Sequence, residues 1–325
     1  MSKRPAVYAI STGSAPVDVE VVVLRSVGVS GPGTLRGVLA GLEIEGQCPT
    51  TVGTHQVRAR VKTVPRVLTA AQGEIAWTLD APGGGGTHSL GDSLAELYFV
   101  FEPPKVPFDR DLPADVVRFV FHRIRVTGSA DAMAAVRIVT RSCHGQLGHV
   151  YDTFRGAASY LDLQSFRGIR RALTFDVNGY MRRRHVVLGR PRVNCYDQAC
   201  AVQTFAAALG VRMLFIYMDP FGYMARTQLV GWPGACNNPF FQDDVRQQLV
   251  GRDDLRRTDF ANHAFAELAT GPTFDACAGP YLGSGGRAAY VRQAVDDQTT
   301  LYRATGGRAG IVADASPAAG VTRAV

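Results

Sequence analysis

The sequence predicts an α+β domain preceded by an all-β, sandwich-like module. Three observations carry that expectation. Before about residue 105, β-branched and alternating runs sit between glycine-rich turns. The run Pro103-Pro104-Lys105-Val106-Pro107 sustains neither helix nor central strand. Beyond it, apolar residues recur at helical spacing. Of the 325 residues, 46% are hydrophobic and 19% charged, a globular balance that excludes a wholly disordered chain.

Taken in order, Val19-Glu20-Val21-Val22-Val23-Leu24 is the first β-branched run. From His55 to Lys62, Val57, Ala59 and Val61 fall on one face of a strand and Arg58, Arg60 and Lys62 on the other. Glu74 to Leu79 and Glu96 to Phe101 read as further strands, with Gly31-Pro32-Gly33 and Gly83 to Gly86 as loops. After the proline break, Val117, Val120, Phe121 and Ile124 mark a helix that Thr127-Gly128 stops. Further helices are expected from near Ala130 and from Leu161 to Leu173. The resulting division is a β-rich module over 1–107, a second domain over 108–284, and a C-terminal extension over 285–325 whose last residues form a mobile tail.

The formal charge is +7, and Lys3, Lys62 and Lys105 are the only lysines. All other bases are arginine, as a genome rich in G and C would give. Eight arginines between Arg167 and Arg192 predict a solvated face or a docking surface for an acidic partner. No nucleic-acid-binding motif accompanies them, so nucleic acid is not expected as a partner. No apolar stretch reaches membrane-spanning length, and the N-terminus lacks the apolar core of a signal peptide. A cytoplasmic protein, or one exported without a cleaved signal, is expected. The six cysteines (Cys48, Cys143, Cys195, Cys200, Cys236 and Cys277) are too few for a disulfide scaffold and default to buried thiols.

Cys195 departs from that default. From Cys195 to Leu209 the chain is alanine-rich and helix-forming, with Ala199, Val202, Ala206 and Leu209 as an apolar stripe and Gly210 as the stop. Asn194 is placed as the N-cap and Asp197 as the acidic half of a capping box. Cys195 then falls in the first turn, where free N–H groups and the helix dipole favour a thiolate. Arg212 to Met218 follows as a buried strand. Asn262-His263-Ala264-Phe265-Ala266-Glu267-Leu268 reads as another strand, and Phe274-Asp275 as a strand end ahead of the Gly279-Pro280 breaker. Two neighbouring strands would bring Asp275 beside His263, giving a thiol, a base and a carboxylate to orient the base.

The run Asn194-Cys195-Tyr196-Asp197-Gln198-Ala199, the segment His263-Ala264-Phe265-Ala266-Glu267 and the pair Phe274-Asp275 together resemble the three motifs of the transglutaminase-like superfamily, in its order. The resemblance covers roughly Val193 to Gly283. It implies a papain-like fold, with the cysteine on a helix packed against an antiparallel sheet, and thioester chemistry at acyl groups. It carries over Cys195 as nucleophile, His263 as base and acid, and Asp275 as orienter.

These readings imply a cysteine hydrolase acting on an amide, peptide or isopeptide bond in a protein or peptide, an acidic one if the arginines recognise it. The alternatives are a glutamine deamidase or acyl transferase acting on proteins, a host's among them, and a non-catalytic binding module. The N–H of Cys195, with Asn194, is the expected oxyanion donor. The turn-rich insertion before His263 places Trp232, Phe240 and Phe241 as walls of a substrate groove. No cofactor or metal is expected: Cys236, Cys277 and His263 lack the close cysteine pair of a zinc site, and no Ca²⁺ loop is present.

Overall fold

The computed structural model describes residues 5–25, 31–166, 169–240, 249–304, 311–314 and 321–322. By contacts the chain divides into two units, the first holding 1–103 with 127–131 and the second holding 104–126 with 132–325.

The first unit is all β. Its strands are β1 (Ala6–Ala9), β2 (Pro16–Val23), β3 (Gly33–Leu39), β4 (Leu42–Cys48), β5 (Gly53–Val61), β6 (Thr69–Asp80) and β7 (Thr87–Val100). They form one sheet in the order β1-β7-β6-β3-β4-β5-β2. The sheet is antiparallel except where β1 runs parallel to β7. The alternation read in β5 holds: Val57, Ala59 and Val61 are buried while Arg58, Arg60 and Lys62 are exposed. Their apolar face joins Leu35, Ile44, Ile75, Trp77 and Phe99 in one core, around which the sheet curls as a sandwich does. Residues 127–131 belong to this unit, tied by Leu68 N–H to the Ser129 carbonyl at 3.0 Å.

The second unit is α+β. Helix α1 (Ala114–Arg118) continues through a π-type turn to Ile124, and its Val117, Val120, Phe121 and Ile124 are buried. Helix α2 spans Ala132–Arg141. Strand β8 (Val150–Tyr151) precedes β9 (Leu161–Phe166) and β10 (Ile169–Phe175). The last two replace the helix expected over Leu161 to Leu173. They pair antiparallel with Phe166 opposite Ile169. A short α3 (Val177–Met181), then β11 (Val186–Val187) and β12 (Arg190–Val193), lead into α4 (Cys195–Ala208).

Strands β13 (Met213–Asp219), β14 (His263–Leu268), β15 (Pro272–Asp275), β16 (Tyr281–Gly286) and β17 (Ile311–Asp314) form a five-stranded sheet in the order β16-β15-β14-β13-β17, antiparallel throughout. Helix α4 packs on β13 and β14, burying Val202, Phe205, Ala206 and Leu209. The expected division at 284 cuts through β16, and the next helix, α5 (Arg287–Ala294), is integral to this unit. Residues 311–314 extend the sheet as an edge strand, where a mobile tail was expected.

The segment between β13 and β14 is anchored at Gly231. Its φ of +70° suits glycine, and a Cβ there would come within 2.0 Å of the His149 carbonyl oxygen. Gly231→Ala is therefore expected to lower stability by about 2–4 kcal/mol, through backbone strain and displacement of β8. Urea unfolding checks this; an unchanged midpoint would show that the loop yields freely.

Candidate active site

The start of α4 is fixed by its cap. The Asn194 side-chain oxygen accepts from the N–H groups of Tyr196 (3.0 Å) and Asp197 (3.1 Å), and the Asp197 carboxylate accepts from Asn194 N–H at 3.1 Å. This is the capping box the sequence predicts. Asp197 does more than cap. Its carboxylate also accepts from the N–H groups of Ser159 (2.8 Å), Tyr160 (2.8 Å) and Leu161 (2.9 Å), binding the strand β9 entry to the helix start. Burial raises the Asp197 carboxyl to about 6, against the pull of those N–H donors.

The cap leaves one amide over. With the second and third amides of the helix taken by Asn194, the N–H of Cys195 has no acceptor among the described residues. Asn194 is engaged on three sides: its oxygen caps, its own N–H bonds Asp197, and its amide nitrogen donates to the Gly156 carbonyl at 2.8 Å. Its backbone N–H is therefore not available to an oxyanion, while the second N–H of its amide nitrogen is not used by any of these bonds.

Across the sheet, β14 and β15 pair with Ala266 opposite Phe274, so Asp275 lies diagonal to His263. His263 Nε2 and Asp275 Oδ2 are 2.9 Å apart, and both residues are buried. The expected His–Asp contact is present. The other imidazole nitrogen, Nδ1, has no partner at hydrogen-bond distance among the described residues, and Cys195 is the side chain that acts on the ring by charge and by a looser hydrogen-bonding approach. A further link joins the two halves: the Tyr196 hydroxyl, one residue after Cys195, donates to the Asn262 side-chain oxygen, one residue before His263.

Asp275 is fully bonded. Oδ1 accepts from the N–H groups of Cys277 (2.7 Å) and Ala278 (3.1 Å), while Oδ2 accepts from His263 and from the Tyr290 hydroxyl at 2.6 Å. Burial raises its pKa, but His263 and these donors outweigh burial and hold the carboxyl below its ordinary range. For His263, burial pushes the imidazole down; the Asp275 and Cys195 charges more than offset it and raise it to about 10. The site therefore favours an imidazolium at neutral pH. Tyr290 is buried against Phe265 and Tyr281, and that burial, with the Asp275 charge beside it, raises its phenol well above the usual value.

Tyr290 is the residue the sequence reading missed. It lies on α5, within the segment assigned to a loose extension. The composition of Arg287–Ala294 is compatible with a helix, but no motif ties it to Asp275. The same helix is held at its start by a two-pronged ion pair from Arg287 to Glu267, at 3.0 and 3.2 Å. Glu267 of the His-Ala-aromatic-x-Glu segment thus anchors α5.

The groove residues fare differently. Trp232 is 2% exposed, with its indole N–H donating to the Tyr151 carbonyl at 3.2 Å, so it is a packed residue and not a groove wall. An indole flanked by turn-forming Gly231, Pro233 and Gly234 reads as exposed in sequence, yet here it fills the interior. Phe240 is partly buried and packs on Tyr151 and Phe260; Phe241 lies outside the described residues. All six cysteines are buried free thiols. Burial pushes Cys143 up to about 12 and raises Cys48, Cys200 and Cys277. Among the described residues no group of three His, Cys, Asp or Glu side chains converges as a metal site would. No helix of the described residues is long and apolar enough to cross a membrane.

No protein-family profile matches the chain, and no curated protein matches it. Among solved structures, the chain is similar to the crystal structure of red sea bream transglutaminase, with a TM-score of 0.41 and 12% identity. The match covers 84% of this chain and 46% of that one, so this chain spans less than half of that protein's length.

Two outcomes are expected. Asp197→Ala removes four buried charge-assisted bonds and is expected to cost about 3 kcal/mol in urea unfolding, while Asp197→Asn recovers only part of it. The His263–Asp275 pair sets a pH window. The His263 contribution is complete below its ordinary 6.5 and is lost as pH rises through about 10. The Asp275 contribution is present above its ordinary 3.8 and is lost as pH falls through its depressed value. The stability gap between the parent chain and His263→Ala should thus be widest between about pH 4 and 6.5 and narrow towards pH 10. A gap that is flat across that range would mean that no ion pair is formed.

Proposed function

We propose that this chain is a cysteine-dependent hydrolase that opens an amide, peptide or isopeptide bond in a protein or peptide. One observation carries the reading. His263 is bonded through Nε2 to a buried carboxylate, and Cys195 stands beside it at a helix start; among the described residues the imidazole Nδ1 and the first helical N–H have no other partner.

Each group then has a task. Cys195 Sγ, as the thiolate, attacks the carbonyl carbon and forms the C–S bond. The charge that moves onto oxygen is met by the Cys195 N–H and the positive end of α4. His263 gives its Nδ1 proton to the leaving nitrogen as the C–N bond breaks, leaving a thioester and a free amine. The neutral imidazole then takes a proton from water, whose oxygen displaces sulfur and releases the acid. Asp275 keeps the proton-bearing Nε2 fixed and offsets the imidazolium charge throughout.

Alkylation tests the reading. Iodoacetamide near pH 7 is expected to modify Cys195 at least about tenfold faster than Cys48, and His263→Ala should remove that advantage. If Cys195 reacts no faster than Cys48, the thiol is inert and the chain is a binding module of this fold. Mass spectrometry of candidate protein substrates then reads the bond chemistry. Scission with water added supports hydrolysis; loss of ammonia with water added marks a deamidase; a cross-link marks a transferase.

A further inference from the structure

Every residue from Arg182 to Arg190 is exposed. Among them Val186 and Val187, in β11, are 54% and 53% exposed, and Leu188 is 68% exposed. The hairpin of β11 and β12 closes through Leu188 and Gly189, with Val187 paired to Arg190. Both turn residues have positive φ, +51° and +73°, as a type I′ turn requires. Asparagine or glycine suits the first of these positions, and a leucine is strained there. Leu188 thus carries backbone strain while its side chain lies in water, which points to a contact outside the chain. The surroundings are cationic. Arg183, Arg184 and Arg190 have no ion-pair partner among the described residues, and Arg190 is steadied over the Trp232 ring at 5.2 Å. Arg182 pairs with Asp115 at 3.6 Å. No acidic residue occurs between 177 and 196. We infer that this hairpin tip docks on an anionic membrane surface, with Val186, Val187 and Leu188 at the acyl boundary and the arginines among the lipid phosphates.

Two features favour lipid over a protein partner. The tip is exposed along both strands, so a protein would need a matching hollow, whereas a bilayer conforms to it. The apolar and basic residues also supply the two signals that peripheral binding needs together. Three apolar side chains bind a bilayer weakly by themselves, and each arginine beside an anionic leaflet adds about fivefold. Long arginine stems lie along the acyl boundary while their guanidinium groups stay with the phosphates, which they match in geometry. The binding is peripheral, since no helix of the described residues is long and apolar enough to cross. From Leu188 to Cys195 the chain spans at most about 25 Å. A seated tip therefore keeps the start of α4 within that distance of the membrane surface.

Co-sedimentation of the full chain with lipid vesicles provides the test. Phosphatidylcholine vesicles with about one-third phosphatidylserine should bind it at least about tenfold tighter than phosphatidylcholine alone, and added salt should close the gap. Leu188→Asn should weaken binding to the anionic vesicles at least about threefold. The same change should raise the urea midpoint, because asparagine accepts the turn conformation. Arg183→Gln combined with Arg184→Gln should weaken that binding about tenfold or more and leave the midpoint unchanged, both side chains being exposed. Absence of binding to the anionic vesicles overturns the inference and leaves the tip to a protein partner. Binding that the arginine pair abolishes but Leu188→Asn leaves intact is attraction of a +7 chain to negative charge alone, and overturns it as well. So does a midpoint lowered by Leu188→Asn, which would mean that Leu188 packs within the fold. None of these residues belongs to the candidate active site, so docking stands or falls separately from the reactivity of Cys195.

Discussion

The second unit depends on one buried carboxylate. Asp275 ends β15 in the interior, where an unpaired charge would be prohibitive, so the chain around it is arranged to supply donors. They come from three separate places in the sequence. His263 reaches it from β14, Tyr290 from α5, and the amides of Cys277 and Ala278 from the turn that follows. Each donor fixes the element it belongs to. The two backbone bonds curl the chain directly after Asp275, and Tyr290 pins α5 over the sheet. His263 is held through one nitrogen, which leaves its ring no freedom except to present the other. Removal of the carboxylate would leave three elements without a common reference point.

A second carboxylate does the same for the opposite half of the site. Asp197 gathers Ser159, Tyr160, Leu161 and Asn194 around the first turn of α4. The two differ in charge balance. Asp275 faces an imidazole and sits below the ordinary carboxylate range; Asp197 faces only amides and is raised to about 6 by burial. Amide dipoles stabilise a buried anion less than a full countercharge does. The bridge from Tyr196 to Asn262 then joins the two halves, so the thiol and the imidazole are positioned by contacts one residue away from each.

What the sequence made legible was local. The capping pair of Asn194 and Asp197, the alternation in β5 and the strand carrying His263 each follow from short-range rules that act within four or five residues. The closeness of His263 and Asp275 was also accessible, because the two strands are joined by a short turn. The failures share a cause: they depend on partners distant in sequence. Tyr290 acquires its role only when α5 folds back on Asp275, and Trp232 is buried only because the Tyr151 carbonyl awaits its indole N–H. The segment from Leu161 to Leu173 had enough apolar residues for a helix, yet antiparallel pairing of its two halves outweighed that local pattern.

The charge arrangement explains why both carboxylates and the helix start are needed together. Taken as ions, Cys195, His263 and Asp275 bring two negative charges and one positive into an interior where each side chain is almost fully buried. A net anion in such surroundings is tolerable only where fixed donors surround it. On the Asp275 side these are the Tyr290 hydroxyl and two amides. On the Cys195 side they are the positive end of the fourteen-residue helix, whose first residue is Cys195, and the first amide, which has no acceptor among the described residues. In the reaction proposed above, charge passing from sulfur to a carbonyl oxygen would stay beside the same helix end, so the donors would need no rearrangement. On that proposal, the cap that occupies the second and third amides while sparing the first serves the chemistry as well as the helix.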